Sequence, residues 1–375
     1  MDRSSRDDGY MQRALDLASG GLGRVEPNPM VGALIVQGER VVGEGYHGRF
    51  GGPHAEVVAL ERAGEKARGS ELFVTLEPCC HQGKTPPCTA ALLAAGIRRV
   101  VAAVTDPFPE VSGRGLAMLE EAGVEVRVGV LQEQARRLNG AYFKRQKTGL
   151  PLVTAKWAMT LDGRLAAGSG ESRWISSDAS RRRVHEVRRI SDAVLVGRGT
   201  AVADEPSLTV RHVEPLPERG HPTRVVLDSR LALDATREPA RSAGEVPVIV
   251  YTSAAACAAH PDRAEALRQR GCEVVPVPPA DAGLAPAAVL EDLGRRGMSR
   301  VLVEGGARVF GSFFAERLVD RVMVFVSPRV LGSADALAPV AGPDGRRLLE
   351  ALEVADVSVE RVGPDLMIQG RVGEF

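Results

Sequence analysis

Apolar positions first recur at helical spacing at Met11, Ala14, Leu15 and Ala18, which predicts a short amphipathic helix over Met11–Leu17. The breaker Pro27-Asn28-Pro29 follows, then the apolar run Val31–Val36, which reads as a buried strand. Val41–Gly45 pairs with it through the turn at Gln37-Gly38-Glu39. His54–Ala67 predicts a helix with Val57, Val58, Leu60 and Ala63 on its inner face. Strands are expected at Leu72–Leu76, Arg99–Thr105 and Val124–Val128, with helices at Thr89–Ala95 and Leu116–Ala122, each closed by a glycine. Strand and helix alternate, so the first half is expected to be a three-layer α/β domain.

Residues 139–151 carry no hydrophobic repeat, and their three basic residues, two glycines and a proline mark a boundary. Two domains follow, 1–148 and 149–375. The second repeats the alternation, with strands expected at Leu152–Met159, Ala193–Val196, Arg224–Leu227, Val246–Tyr251, Val274–Val277, Val301–Glu304 and Asp320–Val326. Pro278–Ala287 reads as a surface loop, and no internal repeat is found.

Composition narrows the function. At 375 residues the chain is long enough for two domains. Lys+Arg and Asp+Glu both number 48, and the first 150 residues hold 19 basic against 18 acidic side chains. No basic face for a phosphate backbone is implied, so nucleic acid is not an expected partner. No apolar run is long enough to cross a membrane. The start, Met1–Asp8, lacks the apolar core of a secretory signal, so a cytoplasmic protein is expected.

Three of the five cysteines, Cys79, Cys80 and Cys88, fall within ten residues. Such clustering points to metal or catalysis rather than to a disulfide framework. His54-Ala55-Glu56 precedes Pro78-Cys79 and Cys88. A catalytic zinc needs three protein ligands and an open position, which His54, Cys79 and Cys88 can supply. Glu56, two residues from the imidazole, can exchange a proton with a zinc-activated water, the logic of zinc deaminases. Cys79 and Cys88 are nine positions apart rather than three, and Cys80 and His81 are rival donors; Pro78 favours Cys79. A closed zinc site that only holds the fold would use the same donors but leave Glu56 without a task.

Pro27–Gly32, His47, Gly52–Glu56 and Glu77–Cys88, with its Gly83-Lys84-Thr85-Pro86-Pro87 insert, resemble the deaminase half of the bifunctional riboflavin-biosynthesis deaminase–reductase family. The resemblance implies a cytidine-deaminase-like fold in which Asn28, His47, Lys84 and Asp106 bind a pyrimidine and its ribose phosphate. Lys84 suits this as a point charge, although a solvated loop lysine is the plain alternative. The chain departs from the family at Asp106-Pro107-Phe108-Pro109, where Phe108 stands in place of an asparagine. Any hydrogen bond from that asparagine is missing.

The second half holds Lys156–Arg164, Gly170–Ser176, Gly199–Asp204, Pro206–Arg211 and Val301–Gly306. The last is a strand running into two glycines and a helix with Val309, Phe310, Phe313 and Phe314 on its buried side. Glycines there let backbone approach a phosphate. The pattern has many structural uses, and it is not the Gly-x-Gly-x-x-Gly fingerprint. Together these segments resemble the reductase half of the same family, implying a dihydrofolate-reductase-like fold. The resemblance places Ala158, Trp174, Thr200, Asp204, Ser229, Gly306, Ala307, Arg308 and Val309 against NADPH. It places Lys156, Ser172, Arg188, Leu208, Arg211 and Glu304 against the substrate. Taken alone, Arg188 and Arg211 read equally as exposed arginines in an Arg-rich chain, Trp174 as core, and Asp162-Gly163 as a turn.

The expectation is therefore one polypeptide with two sites. A zinc site removes the 2-amino group of 2,5-diamino-6-(5-phosphoribosylamino)pyrimidin-4(3H)-one. A second site uses NADPH to reduce the ribosyl side chain to ribityl. The resemblance also implies a homo-oligomer. A nucleic-acid deaminase would need a basic face and stacking aromatics, yet aromatic residues make up 4% of the chain. A regulatory module with a zinc staple is the non-enzymatic alternative.

Overall fold

The computed structural model describes residues 3–82, 86–167, 174–216, 218–281, 283–342 and 350–375. The chain divides into two compact units, Met1–Thr148 and Gly149–Phe375.

The first unit runs α1 (Arg3–Ala18), β1 (Gly32–Gln37), β2 (Arg40–Tyr46), α2 (Ala55–Ala63), β3 (Glu71–Val74), α3 (Cys88–Ala95), β4 (Arg99–Ala102), α4 (Arg114–Glu121), β5 (Glu125–Val128), α5 (Gln132–Leu138) and α6 (Gly140–Thr148). Its five strands lie in the order β2-β1-β3-β4-β5. β1 is antiparallel to both neighbours, whereas β3, β4 and β5 are parallel. Helices cover both faces. Met11, Ala14 and Leu15 pack on Leu34, Val36 and Phe73 from one side, with Tyr142 and Phe143 of α6 against the same cluster. Ala55, Ala59, Leu92 and Leu119 pack on Ile35, Leu72, Val74 and Val100 from the other.

Two details position the site. α2 buries Ala55, Glu56, Ala59 and Ala63; of the expected inner face Ala63 is buried, whereas Val57, Val58 and Leu60 are half-buried. The reason is the close approach of α2 to β2: a Cβ on Gly43 would fall 2.2 Å from the Ala59 carbonyl. Only a small-residue face fits there. α6 is the second. It occupies most of the stretch whose composition reads as a boundary, because Tyr142 and Phe143 anchor it to the core.

The second unit contains β6 (Leu152–Thr160), α7 (Asp178–Ile190), β7 (Ala193–Gly197), α8 (Arg198–Asp204), β8 (Thr223–Leu227), β9 (Val248–Thr252), α9 (Ala254–Ala259), α10 (Pro261–Gln269) and β10 (Cys272–Pro276). It continues with the short pair β11 (Pro279–Ala280) and β12 (Gly283–Leu284), then α11 (Pro286–Arg295), β13 (Arg300–Gly305), α12 (Ala307–Ala315), β14 (Arg321–Ser327), β15 (Ala355–Val362) and β16 (Asp365–Arg371). Among the described residues nine strands form one sheet, β10-β9-β8-β7-β13-β6-β14-β16-β15. The strands from β10 to β14 are parallel. β16 and β15 add an antiparallel edge that the hydrophobic pattern does not announce, because β15 is exposed along most of its length. β11 and β12 lie within the stretch expected as a plain loop. α11 and α12 cover one face through Leu290, Leu293, Phe310 and Phe313; α8 and α10 cover the other through Ala201 and Leu267.

A buried ion network ties α1 to the first sheet. Arg99 on β4 donates to Asp7 Oδ2 at 2.7 Å and to Glu71 Oε2 at 2.8 Å. Asp7 and Arg99 are 0% and 1% exposed. Burial alone would raise the Asp7 carboxyl, yet the Arg99 guanidinium holds it below its ordinary value. Removing one partner strands the other charge. Asp7→Ala is therefore expected to destabilise the first unit by about 3–5 kcal/mol. Urea unfolding followed by circular dichroism measures this, and a loss under 1 kcal/mol would contradict the role given to the network.

Candidate active sites

His54 is the residue that opens α2, held in an extended conformation just before its first turn. Glu56 lies in that first turn and is 4% exposed. Cys88 is the first residue of α3, and Cys79 sits in the loop after β3. The Cys88 amide donates to Cys79 Sγ at 3.4 Å, and the Thr89 amide to the Cys79 carbonyl at 3.2 Å. His54 Nδ1 is 3.2 Å from Cys88 Sγ and 3.5 Å from Cys79 Sγ. Among the described residues, His54, Cys79 and Cys88 are the one group of three whose donor atoms all lie within 4.8 Å of one another. A tetrahedral ion with bonds of about 2.0–2.3 Å needs donors about 3.5 Å apart. The imidazole–thiolate–thiolate set thus fits zinc in spacing and in chemistry.

Cys80 is turned away, its Sγ donating to the Glu110 carbonyl at 3.7 Å. His81 lines the adjoining pocket with its ring 5.5 Å from Phe108, centroid to centroid. Burial pushes the Glu56 carboxyl up to about 7, and the Cys79 charge adds to the rise. The hydrogen bond with Cys88 leads in driving Cys79 down to about 4, with His54 contributing.

A pocket of about 340 Å³ opens beside this group. Asn28, His47, Asp106 and Phe108 all line it. His47 Nδ1 lies 3.0 Å from the Pro53 carbonyl, so it donates there, and Nε2 accepts from Asn28 Nδ2 at 3.3 Å. Burial lowers the His47 pKa, which favours this neutral form. Asp106 accepts from the Tyr142 hydroxyl at 2.8 Å and from the Phe108 amide at 2.9 Å, and burial raises it to about 6. The sequence reading missed Glu77, Tyr142, Arg145 and Gln146, which also line the pocket. Glu77 accepts the amides of Asp106, Gly113, Gly115 and Leu116, fixing the loop that carries Asp106 and the start of α4. Its place directly before Pro78-Cys79 was the available signal. Lys84 lies outside the described residues, as does Ser172 of the second unit.

In the second unit the sheet changes direction of build at β7-β13-β6, where ligands of α/β sheets bind at the strand ends. Arg188 of α7 grips Glu304 of β13 with two bonds, Nε–Oε1 2.5 Å and Nη2–Oε2 2.8 Å, and donates to the Thr209 carbonyl at 3.1 Å. Arg188 is 9% exposed, so it is not a surface arginine. Lys156 lies on the adjacent β6, its ammonium 5.8 Å from the Phe325 ring. Burial lowers Lys156, with Glu304 opposing. The Arg211 amide donates to His185 Nδ1 at 3.1 Å, and Leu208 is buried in the same loop. Lys156 and Arg188 are thereby brought together around Glu304, and Arg211 lies in the neighbouring loop against His185.

β13 ends in Gly305, at φ 141°, and Gly306 opens α12. A Cβ on Gly306 would press on Thr200 Oγ1 at 3.1 Å. Ala307, Arg308 and Val309 form the first turn of α12, whose amides lack intrahelical partners. This bare helix start fits the pyrophosphate of a dinucleotide. Ser229 follows β8, and Asp204 ends α8. Ala158 packs at the end of β6 beside the Phe325 cluster. Trp174 is 59% exposed under Arg181, 4.3 Å from its ring centroid, so it is not core.

Fold and sites together define a two-site enzyme, a zinc deaminase joined to a nicotinamide reductase. Residues 4–104 match the cytidine and deoxycytidylate deaminase zinc-binding region, and residues 151–368 match the RibD C-terminal domain. The chain is 42% identical to the riboflavin biosynthesis protein RibD of Aquifex aeolicus, over 96% of this chain and 97% of that one. It is 39% identical to RibD of Escherichia coli K12, over 97% and 98%. The solved structure of Acinetobacter baumannii RibD superposes with a TM-score of 0.85 at 35% identity, covering 99% of this chain and all of that one. A Thermotoga maritima diaminohydroxyphosphoribosylaminopyrimidine deaminase/5-amino-6-(5-phosphoribosylamino)uracil reductase gives 0.83 at 36% identity, with the same coverage. The chain belongs to the RibD family, the bifunctional deaminase–reductases of riboflavin biosynthesis, with zinc and NADPH as cofactors.

The cysteine geometry sets an expected outcome for metal analysis. Cys79→Ser and Cys88→Ser should each lower zinc content by atomic absorption, while Cys80→Ser keeps it. Loss of zinc from Cys80→Ser would mean that the wrong thiol has been assigned.

Proposed function

We propose that the first site deaminates 2,5-diamino-6-(5-phosphoribosylamino)pyrimidin-4(3H)-one and that the second reduces the ribosylamino chain of the product to ribitylamino. The observation that carries this is the buried Glu56 carboxyl beside the His54–Cys79–Cys88 group at the floor of one pocket. His54, Cys79 and Cys88 would hold the zinc ion, which when bound would lower the pKa of a water to about 7 and so make a nucleophile available at neutral pH. Glu56 takes the proton from the attacking water as its oxygen bonds to the ring carbon. It returns that proton to the amino nitrogen, the C–N bond breaks, and ammonia leaves. Its burial keeps bulk water from competing for the proton. Asn28 and His47, locked together, present fixed polar edges to the pyrimidine, and Asp106 is steadied by Tyr142. Phe108 contributes an aromatic face instead of an amide.

In the second unit NADPH, when bound, would supply the hydride for reduction at C1′. The first turn of α12, with Gly306, Ala307, Arg308 and Val309, would hold its pyrophosphate, with Thr200, Asp204, Ser229, Ala158 and Trp174 around it. Lys156, Arg188, Arg211, Leu208 and Glu304 orient the substrate. The Glu304 carboxylate offsets the cations, which leaves Arg211 free to meet a phosphate.

The family resemblance supports a homo-oligomer, and the exposed edge strand β15 offers a surface for it. All five cysteines are free, which fits a reducing cytoplasm. Among the described residues no helix is long and apolar enough to cross a membrane.

The decisive experiment incubates the purified protein with the diaminopyrimidine phosphate, with and without NADPH, and follows ammonia and NADPH. Glu56→Gln should retain zinc while ammonia release falls about 10²- to 10⁴-fold; undiminished turnover would remove Glu56 from the mechanism. NADPH should raise the thermal midpoint of the second unit more than NADH at equal concentration. Equal protection by both would refute the proposed cofactor preference.

A further inference from the structure

α6 is the unexpected wall of the deaminase pocket. Tyr142, Arg145 and Gln146 line it, and their spacing of three and four residues puts them on one helix face. Tyr142 is occupied by Asp106. Arg145 is half-buried and has no hydrogen bond or ion pair with any described residue.

His81 apart, whose buried Nδ1 has no hydrogen-bond partner among the described residues, the titratable groups named next are engaged. Glu77 is held by four backbone amides. Asp106 holds Tyr142 and the Phe108 amide. His47 is fixed between Pro53 and Asn28, and His54 faces the two thiols. A guanidinium partly withdrawn from water gives up hydration and here regains nothing from the described residues. Among the described residues no group neutralises this cation, and the cavity beside it leaves room for an anion. Serving the C-terminal end of the α6 dipole would not require Arg145 to face the cavity.

We propose that Arg145 recognises the phosphate of the deaminase substrate and so makes the first site selective for a phosphorylated pyrimidine over its neutral nucleoside form. This rests on the reading of the first site given above. A guanidinium meets a phosphate through two parallel N–H···O bonds, which fixes direction as well as distance. Because Arg145 shares a rigid helix with Tyr142, the phosphate end is placed in register with Asp106 and, through the same pocket, with Glu56. Gln146 adds a neutral donor on that wall.

The test uses the zinc-loaded full chain without NADPH and measures ammonia release from the phosphorylated diaminopyrimidine and from its dephosphorylated counterpart. Arg145→Gln should raise KM for the phosphorylated compound about 10- to 100-fold, the worth of one charge-assisted pair, with a much smaller change in kcat. The preference for the phosphorylated over the dephosphorylated compound should collapse by the same factor. Arg145→Lys should recover part of it and serves as the reading if the Gln variant loses zinc or folds poorly. An unchanged KM, or an equal loss on both compounds, would overturn the proposal and leave Arg145 a structural side chain. If the wild-type protein releases ammonia from neither compound, the reading of the first site falls and this inference with it. Normal wild-type turnover with no effect of Arg145 removes this inference alone.

Discussion

A carboxyl group buried against a metal-binding triad is the constraint on which the deaminase unit is built. Glu56 sits there because α2 can lie almost in contact with β2, and α2 lies that close because Gly43 and Gly45 face a stripe of alanines. Bulkier residues on either element would lift the helix and swing His54 away from Cys88. Glu77 serves the same end from below, gathering four backbone amides so that the loop around Asp106 and the start of α4 cannot drift.

The reductase unit manages charge in a different manner. It gathers Lys156 of β6 and Arg188 of α7 around one acid, Glu304 of β13. The bidentate Arg188–Glu304 pair is rigid, so its geometry is set before a substrate enters. A few ångströms along the sheet, bare helix amides at Gly306–Val309 offer the opposite electrostatic face, one suited to an anion. On the proposed reading, side chains would orient the substrate and backbone would hold the cofactor.

The chemical residues were legible where sequence spacing is itself the signal. His54-x-Glu56 and the Pro78-Cys79 pair could be read without coordinates, as could the strand that ends in Gly305-Gly306. The parallel strands were legible too, since buried strands are continuous apolar runs. The exposed β15 was not, because an edge strand in water need not be apolar. α6 was hidden for a related reason: only Tyr142 and Phe143 anchor it, and its remaining residues are polar. On α2 Ala63 was read correctly, but Val57, Val58 and Leu60 were set ahead of Ala55 and Ala59 because hydrophobicity ranks valine above alanine, whereas the glycines of β2 select for size.

By itself the sequence determined most element types, the order of the two α/β halves and which imidazole and thiols converge at the first site, because these follow from short-range periodicity and from side-chain chemistry. Which face of α2 is buried, and that a polar helix walls the pocket, were decided only in three dimensions. Those outcomes depend on distances between segments far apart along the chain, set by packing that no local pattern encodes.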